Sequence, residues 1–569
     1  MKEQIIKQYQ RWLNSSRVLK EDKELLKGMS EKEIDDAFFK RIEFGTAGIR
    51  GVLGPGTNRM NSFTVLKATV GFGLYLKEKF KDPIKVVISH DNRFKSREFT
   101  LESAAILNKM GIDTYIFDSL RPTPELSFAL RYKNCQGGIM ITASHNPKEY
   151  NGFKVYDEYG SQLIPKKIAR LIEIISSLDD ELELDIPATL NPGTNEVLGQ
   201  EVDDEYVRLV EEVQINKGLK KDDFKIVYTP NHGTSYVNAM RVFNDLGYNV
   251  TPVLSQIEPD PNFSGTLSPN PEDEKSYIEP IKIAKEIDAD LICMTDPDGD
   301  RVGLACKNKM GEYTLINGNE GAAILLEYIF SSKKRKGTLP ANGVIYNTVV
   351  SSALGAKIAA NYGIKCETFS TGFKFIGDRI QYHEENHGPT FEFGYEESYG
   401  CLIAPFVRDK DGIQAILLYC EAALYYHLQG KTLLDVYAEL GQKYGYHKAD
   451  LYSIFFKGSE GSEKMNTIME ELKEHPFKEL LNNKVVIFED YFSLKRLDLK
   501  TKETTPITGL PHGDLVKFIF EDGTNICIRP SGTEPKCKFY VEVIEKDLDA
   551  TKGLSLKYFN EIKRLYIDE

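Results

Sequence analysis

The sequence predicts an α/β protein with three similar domains of mixed, mostly parallel sheets and a C-terminal α+β domain. Three observations support this prediction. The chain of 569 residues is too long for one hydrophobic core and corresponds to about four domains of about 150 residues each. Short apolar runs alternate with helical stretches in three successive rounds, which is typical of βαβ units and parallel sheets. The last part of the chain departs from this pattern.

Each round contains three strand-like apolar runs separated by two helical stretches. The predicted strands are 84–89, 113–117 and 137–142, then 224–229, 248–254 and 289–295, then 343–349, 365–370 and 389–395. The predicted helices lie near 97–110 and 124–132, 234–246 and 277–287, and 351–361 and 373–380. The rounds repeat an architecture and not a sequence, so we interpret them as three similar domains.

The C-terminal region is predicted to form paired strands around a loop, followed by a helix. The runs "DLVKFIFEDGTNICIRPSG" and "KCKFYVEVIEK" carry the strand pattern. Segments 186–200 and around 457–465 are polar or rich in Pro, Gly and Asn, so they are predicted linkers. The predicted domains are 1–200, 201–315, 316–455 and 456–569.

Composition excludes several classes of protein. A net charge of −13 argues against coating nucleic acid or binding an anionic membrane. The eight cysteines form no C-x-x-C pair, which favours a reducing compartment and no zinc site. No apolar run approaches the roughly 18 residues of a membrane helix, and the N-terminus lacks the apolar region of a signal peptide. We therefore expect a cytoplasmic protein.

The loop "ITASHNP", Ile141–Pro147, places Ser144 beside His145 at the end of a predicted strand. Taken alone, the loop is a turn, because Ser and Asn are favoured there by local hydrogen bonds. A serine hydrolase role has little support, since the chain has no G-x-S-x-G motif. A phosphoryl-carrying serine would need a metal and cations nearby.

The loop "DPDGDR" supplies such a metal site. Asp296, Asp298 and Asp300 alternate along it, and three carboxylates so close repel one another unless a cation neutralises them. Oxygen ligands favour Mg²⁺ or Ca²⁺. An EF-hand would need Gly and Glu where Arg301 and Lys307 stand. The alternative is an Asp/Gly-rich surface turn.

Two further loops carry groups suited to a phosphate and a sugar. The serine, aspartate and 394–400 loops each end one α/β round directly after a predicted strand, where open α/β sheets bind ligands, and the fourth loop belongs to the C-terminal domain. "RPSGTEPK", residues 529–536, combines Arg and Lys with hydroxyls and a glycine, which suits a phosphate. "GYEESYG", residues 394–400, offers paired acids for sugar hydroxyls or proton transfer. Surface turns remain the alternative for both. Arg50 and Lys154, taken alone, would be surface charges.

Seven motifs in this order resemble the α-D-phosphohexomutase family over essentially the whole chain. They are "TASHNP", "NGFK", "DPDGDR", "STGFK", "GYEESYG", "VRDKDG" and "RPSGTEPK". The N-terminal "RIEFGTAGIRG" and the "PNPED" at 269–273 are similar to the branch with bacterial phosphoglucomutases and the animal phosphoglucomutase-2 type. The resemblance implies four domains around a central active-site cleft, which carry in order the phosphoserine, metal, sugar-recognition and phosphate-binding loops.

The resemblance also implies a role for each motif. Ser144 would carry the phosphoryl group and, with three aspartates, hold one Mg²⁺ per active site. The implied metal ligands are Ser144, Asp296, Asp298 and Asp300. The implied catalytic residues are Ser144, His145, Lys154, Arg50 and Arg301. The implied substrate-binding residues are Gly372, Lys374, Glu396, Ser398, Lys410, Arg529, Ser531, Gly532 and Thr533. Lys154, with His145 as its rival, is the predicted carrier of the hydroxyl proton.

The implied reaction interconverts glucose 1-phosphate and glucose 6-phosphate through phosphoserine and glucose 1,6-bisphosphate. The Glu-Glu-Ser motif of the sugar loop is similar to that of glucose-type mutases. Pentose or mannose phosphates remain alternatives, and a Mg²⁺-dependent phosphatase with an aspartyl nucleophile at Asp296 is a rival of another class. A non-catalytic sugar-phosphate-binding protein is a third hypothesis. Monomer and homodimer are both left open.

Overall fold

The computed structural model describes residues 3–45, 48–456, 458–530 and 536–568. The chain contains three mixed α/β domains and a C-terminal domain built on an antiparallel sheet, as the sequence predicted. Its internal contacts define two compact units. The first contains Met1–Gly318 and Gly372–His427, and the second contains Asn319–Thr371 and Leu428–Glu569. The boundaries of the four predicted domains stay predictions.

Three helices precede the first sheet. They are α1 (Glu3–Asn14), α2 (Lys20–Gly28) and α3 (Glu31–Phe38). Ser30 begins α3 with a capping box, in which its hydroxyl and the Glu33 carboxylate satisfy each other's backbone N–H groups. The buried face of these helices packs around Trp12, whose ring meets Phe38 and Phe63 edge to face. The charged outer residues explain the helical, polar pattern of the sequence.

The first sheet carries the serine loop at one strand end. Its strands are β1 (Ile49–Val52), β2 (Lys85–His90), β3 (Asp113–Phe117), β4 (Gly137–Ile141), β5 (Tyr150–Tyr156) and β6 (Asn195–Leu198), in the order β1-β5-β4-β2-β3-β6. Its helices are α4 (Ser62–Lys79), α5 (Ser96–Lys109), α6 (Thr123–Tyr132) and α7 (Pro165–Ser177). β2, β3, β4 and β6 run parallel, whereas β5 is antiparallel to β4 and to β1. The sheet is therefore mixed.

The second sheet has the order β11-β10-β9-β7-β8. Its elements are α8 (Gln200–Glu211), β7 (Lys225–Thr229), α9 (Tyr236–Asp245), β8 (Asn249–Pro252), α10 (Ile278–Ile287), β9 (Leu291–Thr295), β10 (Val302–Lys307) and β11 (Tyr313–Ile316). Every residue of β9 is buried, as its continuous apolar sequence predicts for a central strand. β9 runs parallel to β7 and antiparallel to β10, so the connection between β9 and β10 is a tight loop.

The third α/β region is divided between the two units. Its elements are α11 (Gly318–Lys336), β12 (Gly343–Thr348), α12 (Ala353–Asn361), β13 (Lys365–Phe369), α13 (Phe373–Glu385), β14 (Thr390–Tyr395), β15 (Cys401–Leu402), α14 (Gly412–His427) and α15 (Leu433–Tyr444). In the second unit β12 and β13 pair in parallel, and in the first unit β14 and β15 pair antiparallel. α14 is apolar on nearly all sides and almost wholly buried.

The C-terminal domain is an antiparallel sheet in the order β16-β23-β22-β21-β18-β19-β20, with a short strand beside β18. Its elements are β16 (Tyr446–Phe455), α16 (Gly458–Glu474), β17 (Glu479–Leu480), β18 (Asn483–Asp490), β19 (Lys495–Asp498), β20 (Thr504–Pro506), β21 (Val516–Phe520), β22 (Asn525–Pro530), β23 (Lys536–Glu545), α17 (Leu548–Thr551) and α18 (Leu554–Tyr566). β22 and β23 are the strand pair that the sequence predicted.

Both predicted linkers contain secondary structure that the sequence did not predict. Segment 186–200 contains β6, an exposed edge strand held by backbone pairing with β3, so its side chains give little pattern. Segment 457–465 lies largely in α16, which begins at Gly458. The apolar residues that dock α16 on its sheet, such as Leu472, come later in the helix. Across the described ranges, no helix combines the length and apolarity needed to cross a bilayer.

Candidate active site

The serine loop, residues 142–147, follows β4 in the first unit. Ser144 takes a φ of 51°, and left-handed backbone of this kind costs a side-chain-bearing residue about 1 kcal/mol. Thr142 Oγ1 accepts a hydrogen bond from Ser144 N at 2.8 Å. Ser144 Oγ donates to Asp296 Oδ2 at 2.8 Å, and His145 Nδ1 lies 3.2 Å from the same hydroxyl. The loop conformation therefore directs the hydroxyl toward a carboxylate on another domain.

The aspartate loop, residues 295–301, follows β9. One oxygen from each of Asp296, Asp298 and Asp300 lies within 4.8 Å of the others, and all three residues are buried. Asp296 Oδ1 accepts from the backbone N–H groups of Asp300 and Arg301 at 3.1 and 3.0 Å. This tight turn holds the three carboxylates together, and the sequence predicted the same cluster from their spacing.

The three carboxylates do not share one electrostatic environment. Burial and the charges of Asp298 and Asp300 raise the pKa of Asp296 well above its ordinary value. Burial acts in the same direction at Asp298, but the charge and hydrogen bond of Lys154 outweigh it and hold the pKa of Asp298 well below its ordinary value. The repulsion expected from the sequence therefore falls mainly on the aspartate that meets Ser144.

The cluster fits a magnesium ion. Among the described residues, Asp298 Oδ1 and Asp300 Oδ1 have no hydrogen-bond donor although both atoms are buried. A buried carboxylate oxygen without a partner is unfavourable unless a cation neutralises it. Hard oxygen ligands favour Mg²⁺ or Ca²⁺ over softer metals. The donor set is thus what a divalent cation of this kind needs.

Lys154 lies on β5, opposite Met140 of β4, so strand pairing brings it beneath the serine loop. Its buried ammonium group donates to Asp298 Oδ2 at 2.7 Å and lies 3.7 Å from Asp300 Oδ2. The sequence placed this lysine only near the serine loop. The antiparallel strand is the reason that it faces the aspartate cluster.

Lys410 is a second buried cation beside the cluster. Its Nζ lies 3.2 Å from Asp300 Oδ2, 3.3 Å from Asp409 Oδ1 and 3.9 Å from Glu396 Oε2. Burial alone would lower the pKa of Lys410, but these three carboxylates raise it above its ordinary value. Lys410 therefore stays cationic and supplies positive charge next to the aspartates.

Arg50 and Arg301 are two further cations of the site, in addition to Lys154 and Lys410. Arg50 donates to the side chain of Asn146 at 3.1 Å, and burial lowers the pKa of Arg50. Arg301 donates to Glu272 at 2.5 Å. Within the part of the chain that the structure describes, Nε of Arg50 and Nε of Arg301 have no hydrogen-bond acceptor. These guanidinium groups can therefore still donate to an anion.

The sugar loop, residues 396–400, follows β14 in the same unit. Glu396 Oε1 accepts from Gly372 N at 2.9 Å, and Gly372 takes a φ of 118° that favours glycine. The carbonyl of Ser398 accepts from Arg301 at 3.1 Å. Lys374 is buried in the first turn of α13. The structure therefore brings Gly372, Glu396 and Ser398 to the cations of the site.

The predicted phosphate loop belongs to the second unit. Arg529 lies at the end of β22 and donates to Thr371 Oγ1, which belongs to the "STGFK" motif. Ser531, Gly532 and Thr533 lie outside the described residues. Within this unit, Arg529 thus connects two of the motifs that the sequence singled out.

Sequence reasoning missed two acidic residues beside the cations. Glu272 pairs with Arg301. Asp409, which pairs with Lys410, accepts from Tyr156 Oη at 3.0 Å and from Gln162 Nε2 at 2.9 Å. The signals were the "PNPED" and "VRDKDG" motifs, which contain them. Their partners lie far away along the chain, so no local pattern indicated the pairing.

The chain matches sequence profiles for all four domains of one family. The profiles describe the phosphoglucomutase/phosphomannomutase α/β/α domains I, II and III and the C-terminal domain, at residues 41–181, 204–311, 317–444 and 483–551. A protein from Staphylococcus epidermidis named phosphoglucomutase is 38% identical over 524 residues, which cover 92% of this chain and 94% of that one. A phosphoglucomutase from Staphylococcus aureus is 37% identical over 516 residues, with 90% and 92% coverage.

Solved structures share the fold at low identity. A phosphoglucomutase/phosphomannomutase family protein from Burkholderia thailandensis gives a TM-score of 0.65 at 18% identity and covers 92% of this chain and 97% of that one. The pp63/parafusin protein from Paramecium, in its open form, gives a TM-score of 0.67 at 20% identity, with 92% and 95% coverage. These likenesses concern the fold.

The fold and the domain matches define an isomerase that acts on sugar phosphates. The chain belongs to the phosphoglucomutase/phosphomannomutase family, also called the α-D-phosphohexomutases. It is a phosphohexomutase of carbohydrate metabolism, similar to phosphoglucomutases, and its buried aspartate triad is the candidate metal site of the family.

Proposed function

We propose that this phosphohexomutase is a phosphoglucomutase that interconverts glucose 1-phosphate and glucose 6-phosphate. Relatives at 37–38% identity over about nine-tenths of the chain carry that name. The observation that carries the chemistry is the contact of Ser144 Oγ with Asp296 Oδ2 at 2.8 Å, in an aspartate cluster that pairs with the buried cations Lys154 and Lys410. That arrangement supports a serine that gives and receives a phosphoryl group.

In the proposed first step, a hydroxyl of the hexose monophosphate attacks the phosphorus of phospho-Ser144. The new bond joins phosphorus to the sugar oxygen, and the bond between phosphorus and Ser144 Oγ breaks. The proton of the attacking hydroxyl passes to Lys154 or His145 and then to Oγ, so the products are glucose 1,6-bisphosphate and a neutral serine. The second step is the reverse transfer from the other phosphate of the bisphosphate.

The ionic groups around Ser144 suit this transfer. Asp296, Asp298 and Asp300, with an oxygen of phospho-Ser144, would hold one Mg²⁺, which when bound neutralises charge on the transferring group. Among the described residues, Nε of Arg50 and Nε of Arg301 have no acceptor, so both can donate to phosphate oxygens. Lys410 adds a fixed positive charge. Fixed charges of this kind stabilise the transition state because they need no reorganisation during the reaction.

Sugar recognition is assigned to the loops that the sequence singled out. Glu396 and Ser398 would bind the sugar hydroxyls, and Gly372 with Lys374 would select the sugar orientation. The non-reacting phosphate would be bound by Arg529, Ser531, Gly532 and Thr533. The bisphosphate must reorient between the two steps, so that each of its two phosphates is next to Ser144 in one of them. Phosphomannomutase or phosphopentomutase activity on the same scaffold is the alternative.

A substrate panel with Mg²⁺ and a trace of glucose 1,6-bisphosphate tests the proposal. We expect the highest kcat/KM with glucose 1-phosphate, because the relatives at 37–38% identity are named for that sugar. A strong preference for ribose 1-phosphate or mannose 1-phosphate would overturn the glucose assignment but leave the mutase mechanism intact.

The carrier role of Ser144 is tested separately. Ser144→Ala is expected to lower turnover by at least about 10³-fold, since it removes the nucleophile. Phosphopeptide mass spectrometry should locate an acid-stable phosphate on Ser144 in the active wild type. A hydroxylamine-sensitive acyl phosphate on Asp296, with activity retained in Ser144→Ala, would instead support the phosphatase hypothesis.

A further inference from the structure

Arg93 is a fully buried guanidinium that lies behind the serine loop. It follows β2 and donates to four backbone carbonyls of that loop and its exit. The acceptors are Ser144 O at 2.6 Å, Asn146 O at 2.5 Å, Pro147 O at 2.8 Å and Tyr150 O at 3.0 Å. A single side chain therefore binds the carbonyl of the reactive serine and three carbonyls that follow it along the chain.

The position of Arg93 is itself fixed by its neighbours. Asp91 accepts from the backbone N–H of Arg93 at 2.9 Å, and its other oxygen lies 3.2 Å from Arg93 Nε. Ser96 Oγ donates to Asp91 Oδ1 at 2.7 Å. The ring of Phe263 lies 5.2 Å from the guanidinium carbon. The guanidinium plane is thus held by an ion pair, a hydrogen-bonded carboxylate and an aromatic face.

The contacts of Arg93 account for a conformation that the loop would not adopt alone. Ser144 has a left-handed backbone, which is unfavourable for a residue with a side chain. Four carbonyls that converge on one point would repel one another unless a multidentate donor lies between them. Arg presents five N–H donors in a planar fork, whereas Lys presents a compact ammonium group. A lysine at this position could not reproduce the four contacts.

We propose that Arg93 is a positioning residue, which holds the serine loop so that Ser144 Oγ points at the aspartate cluster. This inference rests on the proposed phosphoryl-carrier function of Ser144. Of the serine loop and its exit, Arg93 contacts only backbone atoms, and through them it fixes the orientation of the serine. Loss of Arg93 should therefore slow phosphoryl transfer more than it weakens sugar-phosphate binding.

The test compares Arg93→Ala and Arg93→Lys with the wild type. We expect kcat to fall by about 10²-fold in both variants, because a displacement of about 1 Å can have that effect, while KM changes less than about threefold. The rate at which glucose 1,6-bisphosphate phosphorylates Ser144 should fall in parallel. Arg97→Ala, an exposed arginine on the next helix, is the matched control and should behave as the wild type.

Chemical rescue separates positioning from a general loss of structure. Guanidinium at a sub-denaturing concentration should raise the kcat of Arg93→Ala at least about tenfold, since it can refill the site with a planar multidentate donor. Ethylammonium should not. Equal rescue by both cations, or no rescue, would overturn the proposal, as would wild-type kcat in both variants. Arg93→Lys keeps the test decisive where Arg93→Ala does not fold.

The wild type distinguishes this proposal from the proposed function. A wild type that neither isomerises sugar phosphates nor phosphorylates Ser144 would refute the mutase assignment itself. A wild type that does both, next to Arg93 variants with unchanged kcat and unchanged Ser144 phosphorylation, would refute only the role of Arg93.

Discussion

Two side chains of the candidate site, His145 and Lys154, differ in how they can take part in proton transfer at Ser144. His145 Nδ1 lies 3.2 Å from its hydroxyl, whereas Lys154 is bonded to Asp298 at 2.7 Å. The contact with the serine hydroxyl favours His145, and the buried ion pair with Asp298 of the aspartate loop favours Lys154. Geometry within the described residues leaves the two as competing proposals, which mutation can separate.

We predict that Lys154→Gln lowers kcat by about 10²- to 10⁴-fold, the usual range for loss of a general acid or base. His145→Gln should lower kcat by less than about tenfold. Steady-state kinetics at saturating glucose 1-phosphate measures both, and Lys148→Gln, at an exposed lysine just after the serine loop, is the control. A larger loss at His145 than at Lys154 would reverse the assignment of the proton carrier.

At the scale of elements, the ends of buried strands hold the chemistry of the first unit. β4, β9 and β14 each end in one loop of the site. The buried helix α14 begins beside them, and Asp411 caps its N-terminus. Asp411 Oδ1 accepts from the N–H groups of Ile413 and Gln414 at 3.0 Å, and from Tyr206 Oη at 2.9 Å. This cap anchors α14 next to Lys410.

The cap predicts a pH-dependent stability. Burial raises the pKa of Asp411 to about 6, against an ordinary value of 3.8. Between these values the folded chain binds more protons than the unfolded chain, so this group makes the free energy of unfolding decrease as pH rises. Its unfavourable contribution is fully present above about pH 7 and is lost as pH falls through the raised pKa. The free energy of unfolding of the wild type, measured relative to that of Asp411→Asn, should increase by about 1 kcal/mol when the pH falls from 7 to 5.

Urea denaturation of both proteins at the two pH values, followed by the transition of the first unit, measures this gain. Asn61→Ala is the matched control. Asn61 caps α4 by accepting from the N–H groups of Phe63 and Thr64, and its amide does not titrate. Asn61→Ala should lower the free energy of unfolding by about 1 kcal/mol at both pH values. A difference between wild type and Asp411→Asn that stays constant with pH would contradict the prediction.

At the scale of the whole molecule, the second unit is assembled from two separate chain segments. Buried Glu542 on β23 connects them. It accepts from His447 Nδ1 at 2.7 Å, from Asn525 Nδ2 at 2.5 Å, and from Ser352 Oγ and the N–H of Ala353 at the start of α12. One carboxylate therefore joins Asn319–Thr371 to the C-terminal sheet.

We predict that Glu542→Gln lowers the free energy of unfolding of the second unit by about 3 kcal/mol at pH 7, because it breaks a buried charged network. Burial would raise the pKa of Glu542, but His447 and Ser352 hold it below its ordinary value. The stabilisation is therefore present above about pH 4.5 and is lost as pH falls through the lowered pKa.

Scanning calorimetry of the full chain tests this prediction. The transition of the second unit should move to lower temperature in Glu542→Gln, while that of the first unit stays in place. Glu470→Gln, an exposed glutamate on α16, should leave both transitions unchanged to within about 0.5 kcal/mol. An equal shift of both transitions would show that Glu542 does not act within the second unit alone.

Much of the fold could be predicted because it depends on local patterns. Continuous apolar strands such as β9 and alternating helices indicated the α/β domains. β5 and β6 were not predicted, since β5 follows a loop motif and β6 is held by backbone pairing at an exposed edge. The start of α16 was missed because its core-facing residues lie several positions later.

The sequence by itself determined the residue types of the site and their order along the chain. Three alternating aspartates and a serine after an apolar strand required no coordinates, because repulsion and burial apply to any fold, whereas the cations around them were implied only by the family resemblance. Tertiary structure decided which partner each received. Strand pairing places Lys154 against Asp298, and Glu272 of a distant motif pairs with Arg301. The buried Arg93 binds backbone carbonyls of the serine loop. These pairings join residues far apart in sequence, so they exist only once the chain has folded.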